Sequence, residues 1–186
     1  VLKVPEGLTA VAFPYVSKQG FTGATVSSIV YSIIAGSFRP CRFSFFGDFT
    51  QIGARNAACR DAIQVGAEWL FFVDSDMDFP TDTLPRLKAC NADIACADMW
   101  SRNVPSFRTV MRLDEPDEHD MRRSVPVPSE IADLKNVQDV DVCGMACTLI
   151  RTSLLKKMED PWFVSAQHGE DASFCFVAKQ KYGATI

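Results

Sequence analysis

No stretch of the 186 residues stays apolar long enough to span a membrane, and no basic N-terminal region leads into an apolar core and a cleavage site. Neither a transmembrane segment nor a targeting signal is therefore expected. Basic charge is not in excess either. The 19 Lys and Arg face 23 Asp and Glu, a net charge of −4 with a pI near 5.2. A chain of this balance lacks the general electrostatic footprint of a nucleic-acid or anionic-membrane binder, so no nucleic-acid partner is expected. Histidine is scarce, with only His119 and His168. Of the seven cysteines, Cys143 and Cys147 are the closest pair, and neither a second pair nor a histidine stands at ligand spacing. That argues against a zinc site. An odd number of cysteines lying mostly inside apolar segments reads as buried free thiols of a reducing compartment, which points to the cytoplasm. There is no internal repeat.

What is present is an ordinary globular composition, 47% apolar and 23% charged, long enough for one domain over 1–186 with a sizeable core. Its most distinctive stretch is Trp69-Leu70-Phe71-Phe72-Val73, five apolar residues that stop at Asp74-Ser75-Asp76-Met77-Asp78. A short, fully apolar run suits a strand covered on both faces, and ligands of such sheets bind beyond the carboxyl ends of the strands. Asp74 and Asp76 then stand at that edge. Two carboxylates separated by one small residue suit a hard divalent cation whose other ligands are waters and phosphate oxygens. Taken alone, the same acids equally suit a solvated turn before Pro80.

Around this strand the chain alternates. A strand over 8–15 is followed by a helix over 22–35, with Val26, Ile29, Val30, Ile33 and Ile34 at helical spacing and Thr22 or Thr25 as its cap. A strand over 42–46 and an alanine-rich helix over 52–65 then lead into 69–73. The order βαβαβ predicts a mostly parallel sheet flanked by helices, with right-handed crossovers. Thr81 or Asp82 caps a further helix reaching Cys90, and 94–97 is a strand. Beyond Val104 a strand is expected over 107–113. Residues 114–129, with mixed charges and three prolines, then read as a long loop, a candidate lid that orders on binding. Strands over 137–142 and 145–150 flank Gly144, and helices follow over 152–158 and 171–182. Glu170 and Asp171 open the last helix, where acids either cap the helix or serve as catalytic carboxylates.

Four pieces in order, Gly53-Ala54-Arg55-Asn56, Phe72-Val73-Asp74-Ser75-Asp76, Gly144-Met145-Ala146-Cys147-Thr148-Leu149-Ile150-Arg151 and Gly169-Glu170-Asp171 with Phe174-Cys175, resemble glycosyltransferases of the GT-A fold, particularly the family 2-like enzymes. The resemblance spans about 11–186. It implies a single Rossmann-like nucleotide-sugar-binding domain, with the donor held by about 8–100 and the acceptor and catalytic groups in about 101–186. It also implies a metal-dependent, inverting transfer of a sugar from a nucleoside-diphosphate donor, UDP- or GDP-linked, to the hydroxyl of a carbohydrate or other acceptor. On that reading Mn2+ or Mg2+ sits on Asp76 directly and on Asp74 through water or beside the ribose, with Ser75 between them. Arg55 and Asp48 would contact the base and ribose, Pro14 and Tyr15 would lie beside the base, and Gly144 would keep the backbone close to the donor sugar. Asp171 would be the base that deprotonates the acceptor, with Glu170 the runner-up. Related enzymes often add a histidine ligand on a strand beyond the last helix. This sequence ends at Ile186, which leaves His168 as the substitute.

Two other readings stand beside this one. Asp74 would be the nucleophile of a haloacid dehalogenase-type phosphatase, although that family carries its Asp-x-Asp on the first strand and leaves Arg55 and Asn56 without a role. A non-catalytic nucleotide-sugar or carbohydrate-binding domain is the other.

Overall fold

The computed structural model describes residues 4–14, 20–46, 50–100, 106, 108–113, 124–126, 137–166 and 169–186. Tyr15, Asp48 and His168 lie outside them, as does most of 114–129. The described elements are β1 (Thr9–Pro14), α1 (Gly23–Ile34), β2 (Cys41–Phe46), α2 (Gln51–Gln64), β3 (Trp69–Val73), α3 (Thr83–Ala89), β4 (Ile94–Cys96), β5 (Met111–Leu113), β6 (Ser124–Pro126), β7 (Cys147–Arg151), α4 (Thr152–Lys157) and α5 (Glu170–Tyr182). They form a single α/β domain around a five-stranded sheet in the order β2-β1-β3-β7-β4, with a separate β5-β6 ribbon.

The sheet is mixed, which corrects the expectation of a mostly parallel one. β1 pairs parallel with β2 and β3, as the βαβαβ alternation requires, but β7 runs antiparallel to both β3 and β4. The physical reason lies after β4. β7 begins at the carboxyl edge, with Cys147 opposite Val73 and Thr148 opposite Cys96, and so runs back against both neighbours. This reversal brings 144–146 to the carboxyl end of β3, where Asp74 N–H donates to the Ala146 carbonyl at 2.9 Å.

β3 is buried along its whole length, and its alternating side chains feed two cores. Leu70 and Phe72 pack with residues of α2, α4 and α5, whereas Trp69, Phe71 and Val73 pack with Phe13, Phe38, Phe79 and Leu84. An aromatic stack of Phe163 on Phe174, with centroids 4.5 Å apart, closes the first core near the carboxyl edge of β3.

Three segments differ from the sequence reading. Within 107–113 only Met111–Leu113 forms a strand among the described residues, and it pairs with Ser124–Pro126, inside the segment read as a loop. Of 137–142, only Val142 makes a β-bridge, to Met111. Helix α1 lies where its periodicity places it, but it turns Thr25, Ser28 and Ser32 inward and leaves most of its apolar residues outside.

Candidate functional site

At Thr25 and Ser28 the inward polar face of α1 is explained by what it holds, whereas the buried Ser32 hydroxyl has no hydrogen-bond partner among the described residues. The Ser75 carbonyl accepts from Thr22 N–H at 2.9 Å and from the Thr25 hydroxyl at 3.0 Å. Asp78 Oδ1 accepts from the Ser28 hydroxyl at 2.8 Å, and Phe79 N–H donates to the Ser28 oxygen at 3.1 Å. These bonds satisfy buried polar groups and fix the turn that carries Asp74, Ser75 and Asp76 beyond β3. Ser28 has no sequence signal of its own, and Thr25 reads from sequence only as an alternative cap, the cap itself being Thr22.

Against Asp74, from the α2 side, stands Arg55. Its side chain is 1% exposed, one of the largest fully buried groups in the protein. Nη1 donates to Glu170 Oε1 at 2.9 Å and to Asp171 Oδ1, while Nη2 lies 3.8 Å from Asp74 Oδ2. The guanidinium also sits 5.8 Å from the centroid of the Phe163 ring. Asn56, its neighbour, fixes that ring through a two-way bond to the Phe163 backbone, at 2.7 and 3.0 Å. A buried cation persists only when paired, and here three carboxylates pair it. Arg55, assigned by the resemblance to the nucleotide, is thus turned to the acids.

Glu170 and Asp171 occupy the first turn of α5, one residue earlier than the helix start read from sequence. Gly169, at φ +87°, makes the turn into the helix, a backbone conformation that side-chain-bearing residues rarely adopt. Neither acid caps α5. Asp171 instead reaches across with Oδ2 accepting Met145 N–H at 3.0 Å and Oδ1 facing Arg55. The helix therefore presents Asp171 to the same strand edge as Asp74.

The remaining expected residues divide. Pro14 is buried at the end of β1, in register with Phe46. Ser75 and Asp76 are half-buried in the pinned turn. At Gly144 an added Cβ would lie 3.2 Å from Thr109 Cβ, a tight contact that Thr109 would have to yield to. Burial pushes the thiols of Cys41 and Cys147 up, to about 11 and about 12, which leaves them poor nucleophiles.

Acids outnumber the one guanidinium. Burial pushes Asp74 up to about 6; Arg55 opposes the rise, while Asp171, Asp76 and Glu170 add to it. Asp171 is also raised, chiefly by burial, with Arg55 and the Met145 N–H pulling the other way. Asp74 Oδ1 is buried without a hydrogen-bond partner. An acid whose folded pKa is raised binds its proton more tightly in the native state. Its contribution is therefore most favourable below pH 4 and falls as pH rises from about 4 to 6. For Asp74 this amounts to about 2–3 kcal/mol lost above pH 6. Asp74→Asn is thus expected to be more stable than wild type at pH 7 by about 1–2 kcal/mol, and less so at pH 4. Urea denaturation of both proteins across this range checks it, and a stability difference that does not vary with pH would contradict it.

Fold and site together define a single-domain α/β protein with a mixed five-stranded sheet, whose carboxyl edge gathers acids from β3 and α5 around a buried arginine. No protein-family model and no curated protein matches the chain. Among solved structures it is similar to A197 from STIV, at 17% identity and a TM-score of 0.62 over 92% of this chain and 78% of that one.

Proposed function

We propose that the protein is a GT-A-type glycosyltransferase that moves a sugar from a UDP- or GDP-linked donor to the hydroxyl of a carbohydrate or other acceptor, with inversion. The observation that carries this reading is the meeting of Asp171 with the Asp74-Ser75-Asp76 turn at one strand edge, bridged by Arg55. A base and an acidic diphosphate-binding turn must lie side by side for the acceptor to attack opposite the leaving group. Burial raises the pKa of Asp171, which makes it a stronger proton acceptor than an ordinary carboxylate. In the step itself, Asp171 takes the hydroxyl proton as the acceptor oxygen bonds to the anomeric carbon. The bond to the diphosphate oxygen breaks, and its electron pair leaves with the diphosphate. Arg55 is a positioning residue, holding Asp171 and Glu170 rather than the nucleotide.

Among the described residues no group of three or more His, Cys, Asp or Glu is placed to hold a metal ion, so no all-protein metal cage is part of this reading. Asp74 and Asp76 instead fit an Mn2+ or Mg2+ ion that keeps waters and diphosphate oxygens as its other ligands. The unpartnered Asp74 Oδ1 is the kind of group such an ion satisfies. Bound there, the ion would offset the charge developing on the leaving diphosphate.

A thermal-shift series with UDP, GDP and their sugars, with and without Mn2+, tests the reading. At about 100 times Kd a ligand specific for the native state adds about 2.7 kcal/mol, or roughly 5–10 °C in Tm for a chain of this length. Asp76→Ala is expected to melt like wild type without ligand and to lose the Mn2+-dependent part of the shift. No shift with any of these ligands would remove the proposal.

A further inference from the structure

Helix α1 is inverted: its hydroxyl-bearing face is buried and its apolar face is bare. Val26, Val30, Tyr31, Ile33 and Ile34 remain 48, 45, 62, 38 and 74% exposed. Phe45, 61% exposed on the edge strand β2, lies near the start of the helix through a ring contact with Phe21 at 5.6 Å. No charged residue occurs between Phe21 and Phe38. The exposed apolar pair on α5, Phe176 and Val177, has Lys179 and Lys181 close by in its helix and is ordinary surface; α1 is not.

From this we infer that the outer face of α1, with Phe45, is the contact between two copies of this chain. Its composition favours a second copy over a bilayer. Helices that lie in a membrane interface carry Lys and Arg along a solvated polar face, whereas the polar face of α1 is uncharged and holds the Asp74 turn. The net charge of −4 also opposes anionic lipid. A two-fold contact sets a patch against itself, so an uncharged patch carries no like-charge penalty. Val26, Val30 and Ile33 follow the alternating spacing of four and three that seats one helix along another. The bare apolar side chains offer on the order of 500 Å2 per copy, so pairing hides about 1,000 Å2, the lower bound of a specific interface and the size of a weak, reversible one.

Sedimentation equilibrium of the full chain from about 1 to 200 μM tests the inference in the concentration range of such contacts. The expected mass rises from 20.6 kDa toward twice that value. Val30→Lys, and separately Val26→Lys, should stay monomeric across the range, a loss of at least about tenfold in dimer affinity, with the wild-type melting temperature showing each variant folded. A wild-type mass fixed at the monomer value overturns the inference. So does a dimer that survives both substitutions, and so does wild-type binding to phosphatidylcholine or phosphatidylglycerol vesicles that either lysine abolishes.

Discussion

Arg55→Met is expected to lower stability by about 3–5 kcal/mol at pH 7, the usual scale for removing one partner of a buried ionic group. The methionine fills much of the same volume, so the loss is electrostatic. Asp74, Glu170 and Asp171, with side chains 23, 23 and 29% exposed, would be left facing one another without the cation that pairs them. Asp74 and Asp171 are already raised with Arg55 in place, and without it they rise further. Protonation then removes the repulsion, so the deficit relative to wild type should shrink as pH falls from 7 to 5. Arg55→Lys keeps the charge but loses the planar fork that reaches several carboxylates, and should fall between the two. Chemical denaturation at the two pH values checks this. A deficit under about 1 kcal/mol at pH 7, or one that grows on acidification, would show that Arg55 does not organise the acids.

Asp171→Asn is expected to leave donor affinity within a few-fold while lowering transfer by about 10²-fold or more, the scale for losing a general base. The amide has one oxygen, which keeps either the bond from Met145 N–H, 3.0 Å in the wild type, or the bond from Arg55; its NH2 cannot accept the other. It cannot take a proton at neutral pH. Because Asp171 does not cap α5, a helix-capping loss cannot imitate a catalytic one. Steady-state kinetics with a donor identified by thermal shift, together with a melting curve, separates the two effects. A larger kinetic loss in Glu170→Gln would move the base to the neighbouring acid. Unchanged turnover in both variants would exclude the inverting mechanism proposed above.

Residue order alone was enough to place the elements that are buried or capped by local chemistry. Trp69–Val73 is apolar throughout because both faces of β3 are covered, and such a run is visible without coordinates. The Asp-Ser-Asp edge and the βαβαβ half were legible for the same reason, since local pattern and short connections decide them. α1 was legible as a helix but not in its orientation. Periodicity reports that apolar residues share a face; which face meets the core depends on what the opposite face must hold. Here the turn after β3 needs hydroxyl partners, and Thr25 and Ser28 supply them.

The carboxylate cluster was legible as separate pieces and not as one site. Arg55, Asp74, Glu170 and Asp171 were all named, yet nothing in their spacing indicates that a guanidinium from α2 meets acids more than a hundred residues later. The reversal of β7 was hidden as well, because strand direction follows the path of the chain after β4 and not the composition of β7. By itself the sequence determined the strands and helices up to β4 together with β7, α4 and α5, and which residues carry charge at their ends, since these follow from periodicity and solvation. Only the tertiary structure decided that Met145 donates to Asp171, that Arg55 serves the acids, and that α1 faces outward with its apolar side. Each of these depends on contacts between distant segments, and burial and pairing are properties of the packed chain.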